Sequence, residues 1–130
     1  MAQYDKTILI ADDDPDYLFQ LDIIIKGFGY NTITATSQRE CEKIIESMKP
    51  DLAILDLMME NEDSGFILSY KLKKKYPDVP VIIATAVTAE TGISFQVDSE
   101  EQQEWIKADR FLDKGIKNEQ LENEINQLLN

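Results

Sequence analysis

The 130-residue chain contains no histidine and a single cysteine, Cys41. Without histidine there is no Ser-His or Cys-His nucleophile and no imidazole to ligate a transition metal. One cysteine excludes an internal disulfide and a zinc-thiolate cluster, and on its apolar helix stripe Cys41 reads as a small core hydrophobe. Basic residues are scarce, 13 Lys and Arg against 25 Asp and Glu, for a formal net charge of −12. Such a chain suits neither nucleic-acid phosphates, which are bound by Lys and Arg displacing counterions, nor an anionic membrane surface. Long apolar stretches are also missing: runs such as Ile23 to Ile25 fall far short of a membrane span. The expectation is a soluble cytoplasmic protein with no nucleic-acid and no membrane partner. Its chemistry is left to carboxylates, hydroxyls and lysines.

With 43% apolar residues the composition is globular, and the length fits one domain over residues 1–130. Five short apolar runs punctuate it: Thr7 to Ala11, Tyr30 to Ala35, Asp51 to Leu55, Val81 to Ala84 and Arg110 to Leu112. Most are continuous in Ile, Leu and Val rather than alternating, which predicts strands covered on both faces. Helical spacing fills the gaps. Asp14 as N-cap and Pro15 at the first position open a helix through Tyr17, Leu18, Leu21, Ile24, Ile25 and Phe28 that ends at Gly29. Ser37 to Glu40 form a capping box before Cys41, Ile44, Ile45 and Met48. A third helix runs from about Ser64 through Phe66, Ile67 and Tyr70 to the Lys71 to Lys75 cluster, read as a solvated end that suits the dipole. A last one uses Leu121, Ile125, Leu128 and Leu129. Strand and helix in alternation imply right-handed parallel βαβ units and an open sheet between helix layers. Between Thr85 and Lys114 the rhythm breaks, with an extended piece expected around Ile93, Phe95 and Val97 and a short acidic helix after Asp98 or Ser99, near Trp105.

In such sheets ligands bind outside the carboxyl ends of the strands, and the acids concentrate there. The first strand runs into Asp12-Asp13-Asp14-Pro15 and the third ends at Asp56. Two unit charges roughly 4 Å apart repel by about 4 kcal/mol at an effective dielectric of about 20, so solvent screens these acids or a cation sits among them. Asp14 and Asp16 have a use at a helix N-terminus; Asp12 and Asp13 precede it. An EF-hand loop does not fit, because Tyr17 stands at its turn glycine and Ile23 at its bidentate acid. A few hard oxygens open to solvent suit Mg²⁺ with retained waters. Thr85 at the end of the fourth strand and Lys114 after the fifth add a hydroxyl and a cation at the same edge.

Four segments, Ile8 to Pro15, Pro50 to Met58, Pro80 to Ala86 and Ala108 to Lys114, carry these residues in order. In them the chain resembles the receiver domains of two-component response regulators over essentially its whole length. The resemblance implies a single flavodoxin-like, doubly wound α/β domain with a five-stranded parallel sheet of order 2-1-3-4-5. It implies that Asp56 accepts a phosphoryl group from a sensor histidine kinase or a phosphotransfer protein. Asp12, Asp13, Asp56 and the main-chain carbonyl of Met58 would hold Mg²⁺, and Lys114 would meet the phosphoryl oxygens. Thr85 would hydrogen-bond the new group while Phe111 turns inward as a switch. Because the chain stops soon after the last helix, output is expected through contact with an unidentified output protein, a homodimer, or onward phosphate relay, not through an enzymatic segment. An aspartate-nucleophile phosphatase would need an acid two residues beyond the nucleophile, where Met58 stands.

The chain departs from the family at several points. Gly115 follows Lys114 where a cis proline is common, so a trans bond or relaxed loop is expected. Residues 59–65 lack the usual proline turn, and the segment after Thr85 reshapes the face used for output, with Trp105 as core or partner anchor. Gly115 and the altered loop after Asp56 favour a rival reading, a receiver-like interaction module that works without phosphorylation, whereas retention of Asp12, Asp13, Asp56, Thr85 and Lys114 argues against it. Met58 and Val87 stand two residues past Asp56 and Thr85, positions whose side chains in the family flank the path of the hydrolytic water, so the resemblance implies apolar groups there. The phosphoryl group on Asp56 should therefore be lost slowly; a half-life of seconds in a purified, Mg²⁺-containing assay would contradict this.

Overall fold

The computed structural model describes residues 5–61, 63–85 and 108–129. The extended piece and acidic helix expected between residues 86 and 107, with Val87 and Trp105, lie outside the described residues. The elements in chain order are β1 (Thr7–Ala11), α1 (Pro15–Gly27), β2 (Asn31–Ala35), α2 (Gln38–Ser47), β3 (Leu52–Asp56), α3 (Ser64–Lys75), β4 (Val81–Thr85), β5 (Arg110–Asp113) and a last helix, α4 (Asn118–Leu129). Every strand pair is parallel and the sheet order is β2-β1-β3-β4-β5, as the resemblance implied. No helix among the described residues is long and apolar enough to cross a membrane.

The continuous apolar runs divide by parity, because successive strand side chains point to opposite faces. Leu9, Ala53, Leu55, Val81 and Ile83 face α2 and α3, where Cys41, Ile45, Leu68 and Leu72 complete one core layer. Ile8, Ile10, Leu52, Ile54 and Ile82 face α1 and α4, meeting Leu18, Leu21, Ile25, Leu121 and Ile125. Helix ends follow local chemistry. Asp14 Oδ1 accepts from the N–H groups of Asp16 and Tyr17 at 3.0 and 3.3 Å. At the other end of α1, Gly29 adopts φ 99°, and Gly29 and Tyr30 donate back to Lys26 and Ile25, a Schellman closure. Ser37 Oγ accepts from Glu40 N, but the Glu40 carboxylate reaches Thr36 N–H, one residue before the position of an ideal capping box.

β3 and β4 end at Asp56 and Thr85 as expected, the ladder pairing Asp56 with Ala84. Two expectations shift. β5 extends one residue past its apolar run, to Asp113, which pairs with Thr85. On α3 the buried face is Ser64, Gly65, Leu68, Ser69 and Leu72; Phe66 and Ile67 are half-buried and Tyr70 is exposed. Small residues permit the helix to seat closely, so the bulky ones flank the contact. The lysines at its end are tied rather than merely solvated. Lys71 pairs with Glu42, Lys73 with Asp109 at 2.7 Å, and Lys75 donates to the Glu46 carbonyl at 2.9 Å. At the amino edge of the sheet Asp51 and Asp109 accept the N–H groups of Thr7 and Val81, so these two acids have structural work away from the carboxyl edge.

Gly65 sets how closely α3 meets the end of β3. Its N–H donates to the Leu57 carbonyl at 2.8 Å, and a Cβ there would lie 2.7 Å from both the Asp56 carbonyl oxygen and the Leu57 Cα. Both neighbours are backbone and cannot yield cheaply. Gly65→Ala should lower stability by about 1–3 kcal/mol, as overpacking does, read as an earlier urea midpoint; an unchanged midpoint would refute the close approach.

Candidate functional site

The carboxyl edge of the sheet collects side chains from three strand ends. Asp12 follows β1, Asp56 closes β3 and Lys114 follows β5. Backbone bonds that continue each ladder past the last strand residue hold their main chains: Asp12 N–H to Ala35 O at 3.1 Å, Leu57 N–H to Ala84 O at 3.1 Å and Lys114 N–H to Thr85 O at 3.0 Å. Asp12 is further oriented by an Asx-type bond, its Oδ1 accepting from Asp14 N–H at 2.9 Å. That leaves Oδ2 for Lys114, whose Nζ lies 2.7 Å away and also 3.1 Å from Asp56 Oδ1.

Asp12 and Asp56 are 2% and 6% exposed, whereas Asp13 is open to solvent. One carboxylate oxygen from each of the three lies within 4.8 Å of the others. Three carboxylates against one ammonium leave a formal excess of two negative charges. Burial, then the neighbouring Asp12 charge, pushes the Asp56 carboxyl up to about 6 although Lys114 pulls it down. Burial alone would disfavour the Lys114 ammonium, but the hydrogen bond it donates to Asp12 and the charges of Asp56 and Asp12 outweigh it, so its pKa is raised.

The donor set fits a hard divalent cation: all oxygen, two arms held inside and one at the solvent side, leaving room for waters, as Mg²⁺ prefers. Of the other expected site residues, Thr85 ends β4, Met58 follows β3 and Phe111 lies on β5. Thr85 is buried at the end of β4. Met58, just past β3, is exposed, and Phe111 is half-buried with its ring edge-on to Phe66 at 6.2 Å between centroids. Among the described residues there is no cis peptide, and Gly115 turns back so that its N–H donates to Asp113 Oδ1 at 2.7 Å.

Two features were missed in the sequence. The Lys114 Nζ stands 4.7 Å from the centroid of the Tyr17 ring; Tyr17 reads as an ordinary apolar position on α1, and its place three residues after the Asp14 cap was the available hint. The loop after Asp56 is tied to α2: Glu60 accepts from Gln38 N–H at 2.9 and 3.1 Å, and the Gln38 side chain accepts from Ser64 Oγ and Asn61 Nδ2 at 2.8 and 3.2 Å. That backbone bond holds the Glu60 carboxyl below its usual range. No spacing rule links residues so far apart in the chain.

The response regulator receiver domain family matches residues 8–126. Transcriptional regulatory protein GlrR of Escherichia coli is 39% identical over 79 residues, 61% of this chain and 18% of that protein. Response regulator GtcR of Aneurinibacillus migulanus is 40% identical over 81 residues, 62% of this chain and 33% of its own. The chain thus spans roughly a fifth to a third of the curated relatives it matches. Among solved structures it resembles the response regulator TrrA of Thermotoga maritima, described in complex with Mg²⁺-BeF, at 27% identity and a TM-score of 0.77, covering 95% of this chain and 99% of that one. A CheY-like receiver domain protein of Methanospirillum hungatei is similar at 25% identity and a TM-score of 0.78, over 95% and 93% of the two chains.

The raised Asp56 pKa has a definite sign in stability. In the metal-free protein the folded state holds the Asp56 proton more tightly than the unfolded chain, so stability falls as pH rises from the ordinary carboxylate range through about 6. Asp56→Asn should remove this loss and gain about 1–2 kcal/mol over wild type at pH 7.5 but little at pH 4. Urea unfolding of both at the two pH values, in chelator, checks it; a constant difference would refute it.

Proposed function

Because the chain belongs to the response regulator receiver domain family, we propose that it is a phosphoacceptor signalling module in which Asp56 takes a phosphoryl group in a Mg²⁺-dependent reaction. One observation carries the reading: the Asp12, Asp13 and Asp56 oxygens converge within 4.8 Å while the Lys114 ammonium reaches Asp56 at 3.1 Å. This edge is built for a divalent cation and an anion together. The donor is the phosphohistidine of a sensor histidine kinase or phosphotransfer protein.

Phosphoryl transfer asks mainly for alignment and charge neutralisation. Above about pH 6 Asp56 is ionised; its oxygen bonds to phosphorus as the bond to the donor's imidazole nitrogen breaks. Lys114 meets the equatorial oxygens, and the Thr85 hydroxyl donates to the transferred group. Asp12, Asp13, Asp56 and the Met58 main-chain carbonyl would hold Mg²⁺, which when bound supplies positive charge beside the phosphoryl oxygens. Drawing Thr85 toward the new group would shift Phe111 against its neighbours and change the surface offered to an output protein or a second copy of the chain. The reaction is confined to the chain's own Asp56, and the reading places it in the cytoplasm, where no nucleic acid or membrane is required.

Incubation with Mg²⁺ and acetyl phosphate should add one phosphoryl group by intact mass, and Asp56→Ala should abolish it. Mg²⁺ at a hundredfold excess over its Kd should stabilise the protein by about 2.7 kcal/mol, an effect lost in Asp12→Asn. A folded wild-type chain that binds Mg²⁺ yet takes no phosphoryl group would overturn the reading and favour a phosphorylation-independent interaction module.

A further inference from the structure

Three groups surround the Lys114 ammonium: the Asp12 carboxylate at 2.7 Å, the Asp56 carboxylate at 3.1 Å and the Tyr17 ring at 4.7 Å to its centroid. The ring distance is inside the roughly 6 Å reach of a cation–π contact. Tyr17 sits in the first turn of α1, half-buried against the layer of Leu18, Leu21 and Leu121, so its ring is anchored on the core. The Lys114 side chain has no such anchor. Its main chain is pinned through Thr85, but Gly115 follows with the freest of backbones, and four rotatable bonds separate Cα from the amine.

The three partners are not equivalent. The two carboxylates are also the ones that would turn to a divalent cation, and a cation bound there repels the ammonium. The ring carries no net charge: it attracts the amine through its quadrupole without consuming the positive charge that an incoming anion needs. Among the described residues Asp13 and Asp113, the other acids at this edge, make no ion pair with the amine, and the Asp113 carboxylate accepts from Gly115 N–H instead.

We propose that Tyr17 is a positioning residue, the face of its ring keeping the Lys114 ammonium at the rim of the acid cluster, aimed at the arriving phosphoryl group. The inference rests on the phosphoacceptor reading above and adds to it a residue outside the acid–threonine–lysine set. A plain packing role predicts that any apolar side chain of similar bulk will do, whereas a ring-face role predicts that only an electron-rich ring will.

The test compares the wild-type chain with Tyr17→Phe, Tyr17→Leu and a series in which position 17 carries phenylalanines of increasing fluorination, nearly constant in shape. In metal-free protein the ε-methylene protons of Lys114 should show an upfield ring-current shift in wild type and Tyr17→Phe that Tyr17→Leu lacks. At saturating Mg²⁺ the initial rate of acetyl phosphate labelling should match wild type in Tyr17→Phe, fall roughly threefold to tenfold in Tyr17→Leu, and decline stepwise with fluorination. Should Tyr17→Leu fail to fold, the fluorinated series carries the comparison alone. Labelling at the wild-type rate in Tyr17→Leu, or no response to fluorination, overturns the role of Tyr17 while leaving the phosphoacceptor reading intact. Absence of labelling in wild type itself defeats the phosphoacceptor reading and this proposal with it.

Discussion

The ion pairs of Lys114 with Asp12 and Asp56 are the contacts on which the carboxyl edge depends. Two nearly buried carboxylates, with a third at the surface close by, meet one ammonium, which lessens their repulsion without cancelling it. Burying such a set is unfavourable when its charge is incomplete. The strain shows in Asp56, whose carboxyl is pushed up to about 6. A site left short of positive charge and open on one side is suited to a divalent cation and then to the anion that cation helps to attract.

Rigid scaffolding makes this imbalance tolerable. Asp12, Leu57 and Lys114 each make a ladder bond to the neighbouring strand just past the last strand residue, so the charged side chains hang from fixed main chain. Gly65 lets the start of α3 press against the end of β3, backing Asp56 from behind. The loop between them is shaped by polar contacts to α2, with the Glu60 carboxylate on the Gln38 N–H and Ser64 on the Gln38 side chain. In place of a proline turn, a second helix sets the contour of the loop beside Asp56. Displacement of that loop would be felt at the N-terminus of α2.

Much of this was legible in the chain. Near-continuous Ile, Leu and Val runs with helical spacing between them could only fold as a covered parallel sheet, and Asp14, Pro15, Gly29 and Ser37 mark helix ends by chemistry that acts over a few residues. The acids after β1 and β3, with Thr85 and Lys114, could be placed at one edge because parallel strands all end there. Less local features escaped. The end of β5 at Asp113 extends past the apolar pattern because Thr85 on the neighbouring strand supplies its partner. The bulky residues of α3 flank its buried face because Gly65 and Ser69 govern the approach.

What the order of residues determined by itself was therefore the class of fold and the membership of the acidic edge, since both follow from periodicity and from topology that every parallel βαβ unit shares. Which groups touch was decided only by tertiary structure. The direction of the Lys114 amine, the ring of Tyr17 beneath it and the grip of α2 on the loop after Asp56 all join residues remote in sequence. Such contacts depend on distances of a few ångströms between separate elements, and those distances are set by packing, for which no local pattern in the chain is a substitute.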